Sequence, residues 1–515
     1  MQNLIAPQSE KAPSIGLVEL PGLKLLDPEG TNWTEFYKNT VLPSKQILLS
    51  NLQAGGFDAQ LVDLRAGDYQ QEYGTVNWKG MTLSKRYEGV RISSVDPQAY
   101  DAWGVTNNFT QNREIALIVI RHLARGGRPV VVGGSDAIAE PQPYLQAGAA
   151  AIVTDKSGGA NWAIFDYLLG KPMREKLSGV LMADGTQYPL RLPPMSPQDW
   201  PLPSLDVAKQ CLGLPFFKTS QSNAPEMLGS VIPDIGCDRK CDFCQTPTYG
   251  TGYKRMSPQR VLEWLTLQKE AGATRVGSYS DQFLGRVLFK EGRQEVLDIM
   301  KGVRELGLAI NWPNGVELKK ATLGRGYERS SDAFQPDKEL VEAVWGWDGK
   351  VGCYFAYIPA ERPVFGRESY AKLLPWQQHL EMMRTIARAG VPRIQYGVII
   401  GLPDDSEEDM LRLEDALSEL YRELKTINPS LHLAIDANSI LPIPGTPQGT
   451  SFRNSGLVRF EDVEIIGGFT TSCADTRYMS YEEVSDWQFR LASIGGEAVE
   501  QSYHQTTTSV TSNVA

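Results

Sequence analysis

Short apolar runs alternate with amphipathic stretches over residues 14–170. The runs SIGLVEL, DAQLVDL, YDAWGVT, PVVVGG and AAIVTD predict strands, because each is short, apolar and rich in β-branched residues. Helices are predicted at LPSKQILLSNLQAGG, NREIALIVIRHLARGG, PYLQAGA and NWAIFDYLLG. Strands separated by helices indicate a parallel sheet covered on both faces. We therefore expect an α/β domain of doubly wound, Rossmann-like type over these residues.

A second alternation occupies residues 227–450. Strands are predicted at GSVIPDIG, ATRVGSYS, LAINWPNGVEL, VGCYFAYIP, RIQYGVIIGLP and HLAIDANSILPIP, with helices such as SPQRVLEWLTLQKEAG and RQEVLDIMKGVRELG between them. Six parallel strands with intervening helices fit a partial (β/α)6 barrel of TIM-like type, with its chemistry at the carboxyl ends of the strands.

Three further segments complete the expected organisation. Residues 171–226 are rich in proline and predict an interdomain linker, with a hairpin in GVLMADGTQYPL around its Asp-Gly turn. Residues 451–500 predict a C-terminal extension of mixed structure. The polar residues 501–515 predict a disordered tail.

In the first predicted sheet, the ligand crevice should lie beyond the carboxyl ends of the strands. The segments at these ends are Thr106, Asn107 and Asn108, then Gly133, Gly134 and Ser135, and finally the turn over 155–159. Two adjacent glycines would let a flat cofactor lie on the backbone. The same glycines would equally suit a plain turn from strand to helix.

Composition and charge narrow the possible partners. The chain has 515 residues, 42% of them hydrophobic, and a net charge of −10. This charge provides no basic field for nucleic acid, so we expect a small-molecule or peptide substrate. The N-terminus lacks a signal-peptide pattern, and no stretch reaches the roughly 20 apolar residues of a membrane span, so a cytoplasmic location is expected.

Three of the six cysteines lie within eight positions, in the sequence CDRKCDFC. Thiolates of Cys237, Cys241 and Cys244 at these spacings can bind three corners of one iron–sulfur cubane and leave the fourth iron open. A zinc site or inert thiols are the alternative, but zinc sites usually close with a fourth Cys or His nearby, and none follows Cys244. The other cysteines, Cys211, Cys353 and Cys473, are scattered and predict buried thiols.

The motif Cys-x-x-x-Cys-x-x-Cys, with Phe243 before the last cysteine, resembles the signature of the radical SAM superfamily. The resemblance implies a [4Fe-4S] cluster whose free iron chelates S-adenosylmethionine (SAM). It also implies cleavage of SAM to a 5′-deoxyadenosyl radical, with electrons from an external donor such as flavodoxin or ferredoxin. Phe243 would then lie beside the adenine, or else serve as a core aromatic.

Other segments are similar to those of cobalamin-dependent members of the superfamily. SYSDQF, YIPAE, IIGLPDDSEED and ILPIPGTP resemble motifs of the barrel, and VVVGGSDA and the VTNN turn resemble loops of the cobalamin domain. The resemblance implies cobalamin as a third cofactor. It implies cofactor-binding roles for Ser280, Asp281, Asn311, Asn314, Tyr357, Glu361 and Gly401 in the barrel, and for Thr106, Asn107, Gly133, Gly134 and Ser135 in the first domain. Trp312 and Glu317 are further candidates at the barrel mouth.

Two features depart from the family pattern. The chain has no Asp-x-His-x-x-Gly, and of its four histidines only His122 lies in the first domain, in the middle of a predicted helix. Cobalamin is therefore expected without a protein histidine on cobalt. The turn over 155–159 stands where many relatives carry a Gly-Glu-rich turn.

The resemblance implies a C-methyltransferase. One SAM would methylate cobalamin, and a second would yield the radical that removes hydrogen from an unactivated carbon, which then collects the methyl group. Two alternatives remain open. One is a cobalamin-dependent radical rearrangement or cyclisation, and the other is a radical SAM enzyme whose first domain only binds substrate or a partner.

Overall fold

The computed structural model describes residues 11–34, 38–190, 193–215, 226–331, 333–365, 370–468 and 472–495. The predicted tail over 501–515 lies outside them. The strands up to residue 190 are β1 (Ser14–Glu19), β2 (Gly22–Leu26), β3 (Asp58–Asp63), β4 (Tyr69–Trp78), β5 (Met81–Gly89), β6 (Ala102–Thr106), β7 (Val130–Gly133), β8 (Ala151–Val153), β9 (Val180–Met182) and β10 (Gln187–Tyr188). The helices are α1 (Pro43–Ala54), α2 (Arg113–Ala124), α3 (Ser135–Ala139), α4 (Pro141–Gln146) and α5 (Asn161–Leu168).

Five parallel strands of the first sheet follow one another in the order β3-β1-β6-β7-β8, with β3 at one edge. They are the five strands that the apolar runs predict. The two faces of the sheet bury different side chains: Leu17 packs with α1 and α5, whereas Val18 packs with α2. The prediction of a parallel α/β sheet with helices on both faces is confirmed.

The predicted hairpin in GVLMADGTQYPL is present as β9 and β10, but it does not lie in a free linker. β9 pairs antiparallel with β8, so the hairpin extends the first sheet. Val180, Leu181 and Met182 are all buried there, which explains why this apolar strand adds to the sheet edge. The hairpin that the sequence predicts within the interdomain linker is thus part of the first sheet.

A three-stranded antiparallel sheet, β2-β5-β4, was not predicted from the sequence. Its strands carry many polar residues, and their buried side chains, such as Trp78 and Leu83, are widely spaced. Lys79 and Gly80 form the two-residue turn, both with positive φ. The sheet packs against the C-terminal extension, where the Trp78 indole donates to the Ser472 carbonyl at 3.1 Å.

The remaining strands are β11 (Leu228–Val231), β12 (Asp234–Ile235), β13 (Lys254–Arg255), β14 (Arg275–Ser278), β15 (Ala309–Trp312), β16 (Gly352–Glu361), β17 (Arg393–Ile400) and β18 (His432–Ser439). The helices are α6 (Leu205–Gln210), α7 (Pro258–Glu270), α8 (Gly292–Glu305), α9 (Lys338–Trp345), α10 (Trp376–Arg388), α11 (Glu407–Ile427), α12 (Pro447–Asn454), α13 (Val463–Ile466) and α14 (Tyr481–Ala492).

The six predicted strands of this second part form one parallel sheet, in the order β11-β14-β15-β16-β17-β18. Alternate side chains point to opposite faces of a strand. Ile358 and Val398 join the large core beneath the helices, whereas Tyr357, Gln395 and Asp436 line a cavity on the other face. The helical face is therefore apolar and the opposite face is polar near the strands' carboxyl ends.

Local sequence signals explain several helix boundaries. The Ser257 hydroxyl accepts the Arg260 amide, and Pro258 occupies the first turn of α7. Ser406 and Asp409 form a capping box at the start of α11. None of the helices in the described part of the chain is both long and apolar enough to cross a lipid bilayer.

Candidate functional site

The three clustered cysteines lie on a loop that directly follows β12. Cys237, Cys241 and Cys244 are half-buried free thiols, whereas Cys211, Cys353 and Cys473 are buried, as predicted. Among the described residues, no group of His, Cys, Asp or Glu side chains converges as a single metal ion would require. A cubane does not need such convergence, because each thiolate binds a different iron.

A buried ionic network holds the first half of this cysteine loop. The Arg239 guanidinium forms a bidentate pair with Glu317, including one contact of 3.0 Å. Glu317 also pairs with Lys320 at 2.9 Å and accepts the Gln282 amide at 3.1 Å. The same amide lies 3.8 Å from the Cys237 sulfur. Glu317, a predicted candidate, thus acts on the loop through its neighbours.

The end of β14 supports the loop from the other side. The Gly236 amide, directly before Cys237, donates to Asp281 at 2.7 Å. The Ser280 hydroxyl is 2.7 Å from both carboxylate oxygens of Asp234, and the Asn314 amide donates to the Ser280 carbonyl at 3.2 Å. Burial raises the pKa of Asp234 to about 6. Ser280 and Asn314 therefore shape the backbone beneath the cysteine loop.

The first of two cavities lies between the carboxyl ends of the two sheets and has a volume of about 410 Å³. The first sheet contributes Asn108, Ser135 and Lys156 to its wall. The second part of the chain contributes Phe243, Cys244, Tyr249, Asp281 and Ile443, among others. Asp281 is exposed to the space of this cavity, yet burial among the surrounding protein atoms raises the pKa of its carboxyl.

The second cavity has a volume of about 470 Å³ and lies at the polar face of the six-stranded sheet. Its polar lining comes from β16, β17, β18 and α14: Tyr357, Glu361, Gln395, Asp436, Asn438, Ser439 and Gln488. The Gln395 amide donates to Asp436 at 3.0 Å, and burial raises the pKa of the Asp436 carboxyl. This cavity offers hydrogen-bond donors, acceptors and carboxylates to a polar ligand.

Phe243 and Ile443 line both cavities and so lie between them. The ammonium of Lys372 lies 5.5 Å from the Phe243 ring centre and pairs with Glu361. Burial alone would lower the pKa of Lys372, but Glu361 and Cys241 raise it. In turn, burial raises the pKa of the Cys241 thiol to about 11 against the opposing effect of Lys372.

Glu361 ends β16 in a left-handed conformation, with φ of 58°. Such a conformation is unfavourable for a residue other than glycine, and it commonly marks functional positions. A register shift between Pro359 and Glu361 accompanies it. The strand end is thereby turned so that the Glu361 carboxylate meets Lys372 at the second cavity.

Several predicted residues do not line either cavity. The Asn107 amide donates to the Tyr144 hydroxyl at 2.7 Å, and the Thr106 hydroxyl accepts from Lys45. Gly134, with φ of 103°, is required because a Cβ would lie 2.2 Å from the Asn107 carbonyl oxygen. At Gly133 a Cβ would meet nothing closer than 3.9 Å. The glycine pair thus serves the turn itself.

In the second part of the chain, three more predicted residues lie away from the cavity walls. Gly401 packs against α14, where a Cβ would come within 2.9 Å of Val484. Trp312 points into the helical core and donates to the Val344 carbonyl at 3.0 Å, so it does not face the barrel mouth. Asn311 is buried, and within the described part of the chain its Oδ1 has no hydrogen-bond partner.

The sequence did not single out three residues of the cavity walls, Lys156, Gln395 and Asp436, or Lys372, which pairs with Glu361 of the second cavity. Lys156 lies in the turn over 155–159, which the strand-end rule marks as part of a ligand crevice. Gln395 and Asp436 alternate with apolar residues on inward strand positions, a signal that the sequence does contain. Lys372 lies more than a hundred positions from Cys241 and carries no local signal.

No model of a protein family matches the sequence, and no curated protein is similar enough to match. Among solved structures, the chain is similar to the cobalamin-dependent S-adenosylmethionine radical enzyme OxsB with aqua-cobalamin and SAM bound. The TM-score is 0.65 and the identity 15%, over 92% of this chain and 66% of OxsB. The chain therefore spans about two thirds of the length of that enzyme.

The chain is also similar to the radical S-adenosylmethionine methyltransferase TsrM from Kitasatospora setae with cobalamin and a [4Fe-4S] cluster bound. Here the TM-score is 0.54 and the identity 13%, over 86% of this chain and 75% of TsrM. A second TsrM structure, with tryptophan and a SAM analogue, gives a TM-score of 0.53. The fold is that of cobalamin-dependent radical SAM enzymes, which confirms the resemblance at the level of fold.

Proposed function

We propose that this chain is a cobalamin-dependent radical SAM enzyme that methylates a carbon atom. The observation that carries this proposal is the place of the cysteine loop. Its three free thiols lie at the carboxyl end of a six-stranded parallel sheet, and Cys244 lines a cavity shared with the carboxyl end of a second parallel sheet. In this proposal the first sheet is a Rossmann-like cobalamin domain, and the second is a partial barrel.

The residues of the loop fit a [4Fe-4S] cluster with Cys237, Cys241 and Cys244 as ligands. Burial raises the pKa of the Cys237 thiol, and the charge of Lys320 opposes this effect. Cations near a cysteine favour the thiolate, which is the form that binds metal. Lys320 and Lys372 supply such charges on two sides of the loop. Because the ligands must be reduced thiols, the proposal includes a cytoplasmic location.

The second cavity fits SAM. Glu361 and Asp436 offer carboxylates, and Tyr357 and Gln395 offer neutral polar groups, which together suit an amino group and the hydroxyls of a ribose. Phe243 at the boundary provides a flat apolar surface for an adenine ring.

The first cavity fits part of a cobalamin, with Asn108, Ser135 and Lys156 as polar contacts. His122, on helix α2 of the first domain, does not line this cavity: its ring contacts the Val95 carbonyl at 2.7 Å instead. The proposal therefore has no histidine from this domain on cobalt. When bound, the cluster would supply the electron that cleaves SAM, and cobalamin would carry the methyl group. The chain's own residues hold these groups and exclude water.

A second candidate is a radical rearrangement or cyclisation without methyl transfer. OxsB, with a TM-score of 0.65, is described as a radical enzyme and not as a methyltransferase, whereas the methyltransferase TsrM gives 0.54. In either case we expect a small-molecule or peptide substrate and an external low-potential electron donor.

The test is a product assay on the full chain reconstituted with iron and sulfide. The protein is supplied with cobalamin, SAM and a reductant, and 5′-deoxyadenosine and S-adenosylhomocysteine are measured. Methyl transfer predicts both products, whereas rearrangement predicts deoxyadenosine alone. Cys241→Ala should abolish deoxyadenosine, and Cys211→Ala, which removes a thiol far from the loop, should retain it. Equal yields in the wild type and Cys241→Ala would refute the proposal.

A further inference from the structure

Lys156 lies on a turn whose backbone is firmly held. The Asp155 carboxylate accepts the Ser157 amide at 2.8 Å, the Ser157 hydroxyl at 2.6 Å and the Ala160 amide at 3.1 Å. The Trp200 indole donates to the Ser157 carbonyl at 2.8 Å. Since both the side chain of Asp155 and the proline-rich segment around Trp200 fix this turn, the direction of Lys156 is set by the fold.

The ammonium of Lys156 points into the first cavity among neutral groups. It lies 3.1 Å from the Ser135 hydroxyl oxygen, 3.4 Å from the Asn108 side-chain oxygen and 5.1 Å from the ring centre of Tyr249. Within the described part of the chain, no carboxylate lies within ion-pair distance of it. Burial lowers the pKa of Lys156, and the charge of Asp281, across the cavity, opposes this effect at longer range.

A cation that no adjacent carboxylate neutralises projects its field into the space it faces. In a cavity walled by protein, this field is weakly screened by solvent and salt. Any redox group bound there gains stability in its more reduced, more negative state. The neutral acceptors Ser135 and Asn108 hold the ammonium in place without removing its charge.

We infer that Lys156 favours the one-electron reduction of the cobalamin bound in this cavity. This inference rests on the proposed function, and it gives Lys156, a residue of the wall of the first cavity, a role in setting the redox state of cobalamin. The step adds one electron to cobalt(II) to give cobalt(I), with no protein bond formed or broken. The electron comes from a low-potential one-electron donor, for which titanium(III) citrate is a suitable reagent.

The experiment is an anaerobic redox titration of the full chain with bound cobalamin, followed by visible absorption and by electron paramagnetic resonance of cobalt(II). Lys156→Met removes the charge and keeps the length of the side chain, whereas Lys156→Arg keeps the charge. Lys290→Met removes a charge at an exposed turn and serves as the matched control.

At a fixed potential near the wild-type midpoint, Lys156→Met should lower the cobalt(I) to cobalt(II) ratio by about tenfold, equivalent to about 59 mV for one electron. Lys156→Arg and Lys290→Met should stay within about twofold of the wild type, on the same conversion. An unchanged ratio in Lys156→Met would overturn the inference. So would loss of cobalamin from that variant, because Lys156 would then be a retention residue. Failure of the wild type to bind cobalamin would instead refute the cobalamin part of the proposed function, and the inference with it.

Discussion

The backbone amide of Gly236 donates a 2.7 Å hydrogen bond to the carboxylate of Asp281. This bond connects the cysteine loop to the segment that follows β14. In the sheet, β14 lies next to β11. Asp281 also faces the first cavity, opposite Lys156. The Asp281 carboxylate thus contacts the loop that carries the three thiols, and it also faces the cavity proposed for cobalamin.

Asp281→Ala should reduce the amount of iron and sulfide that the reconstituted protein retains. A hydrogen bond to a charged group contributes about 1.5 kcal/mol or more, so its loss should loosen the loop roughly tenfold. Asp281→Asn keeps an acceptor and should retain more cluster than Asp281→Ala. Asp242→Ala changes an exposed carboxylate of the same loop and should match the wild type. Iron and sulfide analysis measures the result, and full retention in Asp281→Ala would contradict this role.

Glu317→Ala should destabilise the fold by about 1.5–3 kcal/mol, because it removes charge-assisted hydrogen bonds to Arg239 and Lys320 and leaves Asp238 as their shared partner. Urea unfolding of the protein before reconstitution measures the change. The control is Glu305→Ala, which breaks an exposed pair with Lys301 and should cost less than about 0.5 kcal/mol. Similar losses in the two variants would show that the network around the loop is unimportant.

Phe243→Ala should weaken SAM binding to the reconstituted protein roughly tenfold, or about 1.4 kcal/mol. The reason is that Phe243 forms part of the wall of the second cavity and separates it from the first. Phe109 lines the first cavity but not the second, so Phe109→Ala should leave the affinity for SAM unchanged. Calorimetric titration with SAM compares the two, and equal affinities would argue against this position for SAM.

The stability of the fold should fall in mild acid because of His379. This side chain is buried against Tyr396, with 2.7 Å between the ring nitrogen and the hydroxyl oxygen, and burial lowers its pKa from 6.5 to about 4. The unfolded chain then binds the proton more readily than the folded one. Stability due to neutral His379 is complete above pH 6.5 and is lost as the pH falls toward 4.

Between pH 7 and pH 5 this loss should be about 2 kcal/mol, at about 1.4 kcal/mol per pH unit. His379→Gln removes the titrating group and keeps an acceptor for Tyr396. Urea unfolding at the two pH values should show a smaller decrease for the variant than for the wild type. Identical decreases would mean that His379 is not kept neutral by the fold.

The sequence predicted the fold best where the pattern of apolar residues matches the burial of those residues in the structure. The strands of both parallel sheets are short apolar runs, and each is buried on one or both faces, so periodicity predicts them. The cysteine loop was recognisable because its spacing alone restricts the chemistry. Ser280, Asp281 and Glu361 were predicted from the family resemblance, and they lie at the ends of predicted strands, where parallel sheets place their ligands.

Other features depend on contacts between distant residues. The strands β4 and β5 contact the C-terminal extension through Trp78, Tyr73 and Lys85, and their polar sequence does not reveal this. Trp312 was expected at the barrel mouth, but the alternation of β15 turns it toward the helices. Gly134 was expected beneath a cofactor, whereas its close approach to Asn107 explains it without one.

We propose that Cys237, Cys241 and Cys244 hold a cluster with one iron open to SAM. The most direct measurement is electron paramagnetic resonance of the reduced, reconstituted protein with and without SAM. We expect about four irons per chain, a [4Fe-4S] signal that changes when SAM is added, and no such signal in Cys241→Ala. A wild-type signal that SAM leaves unchanged, or the same signal in Cys241→Ala, would contradict this assignment of the three cysteines.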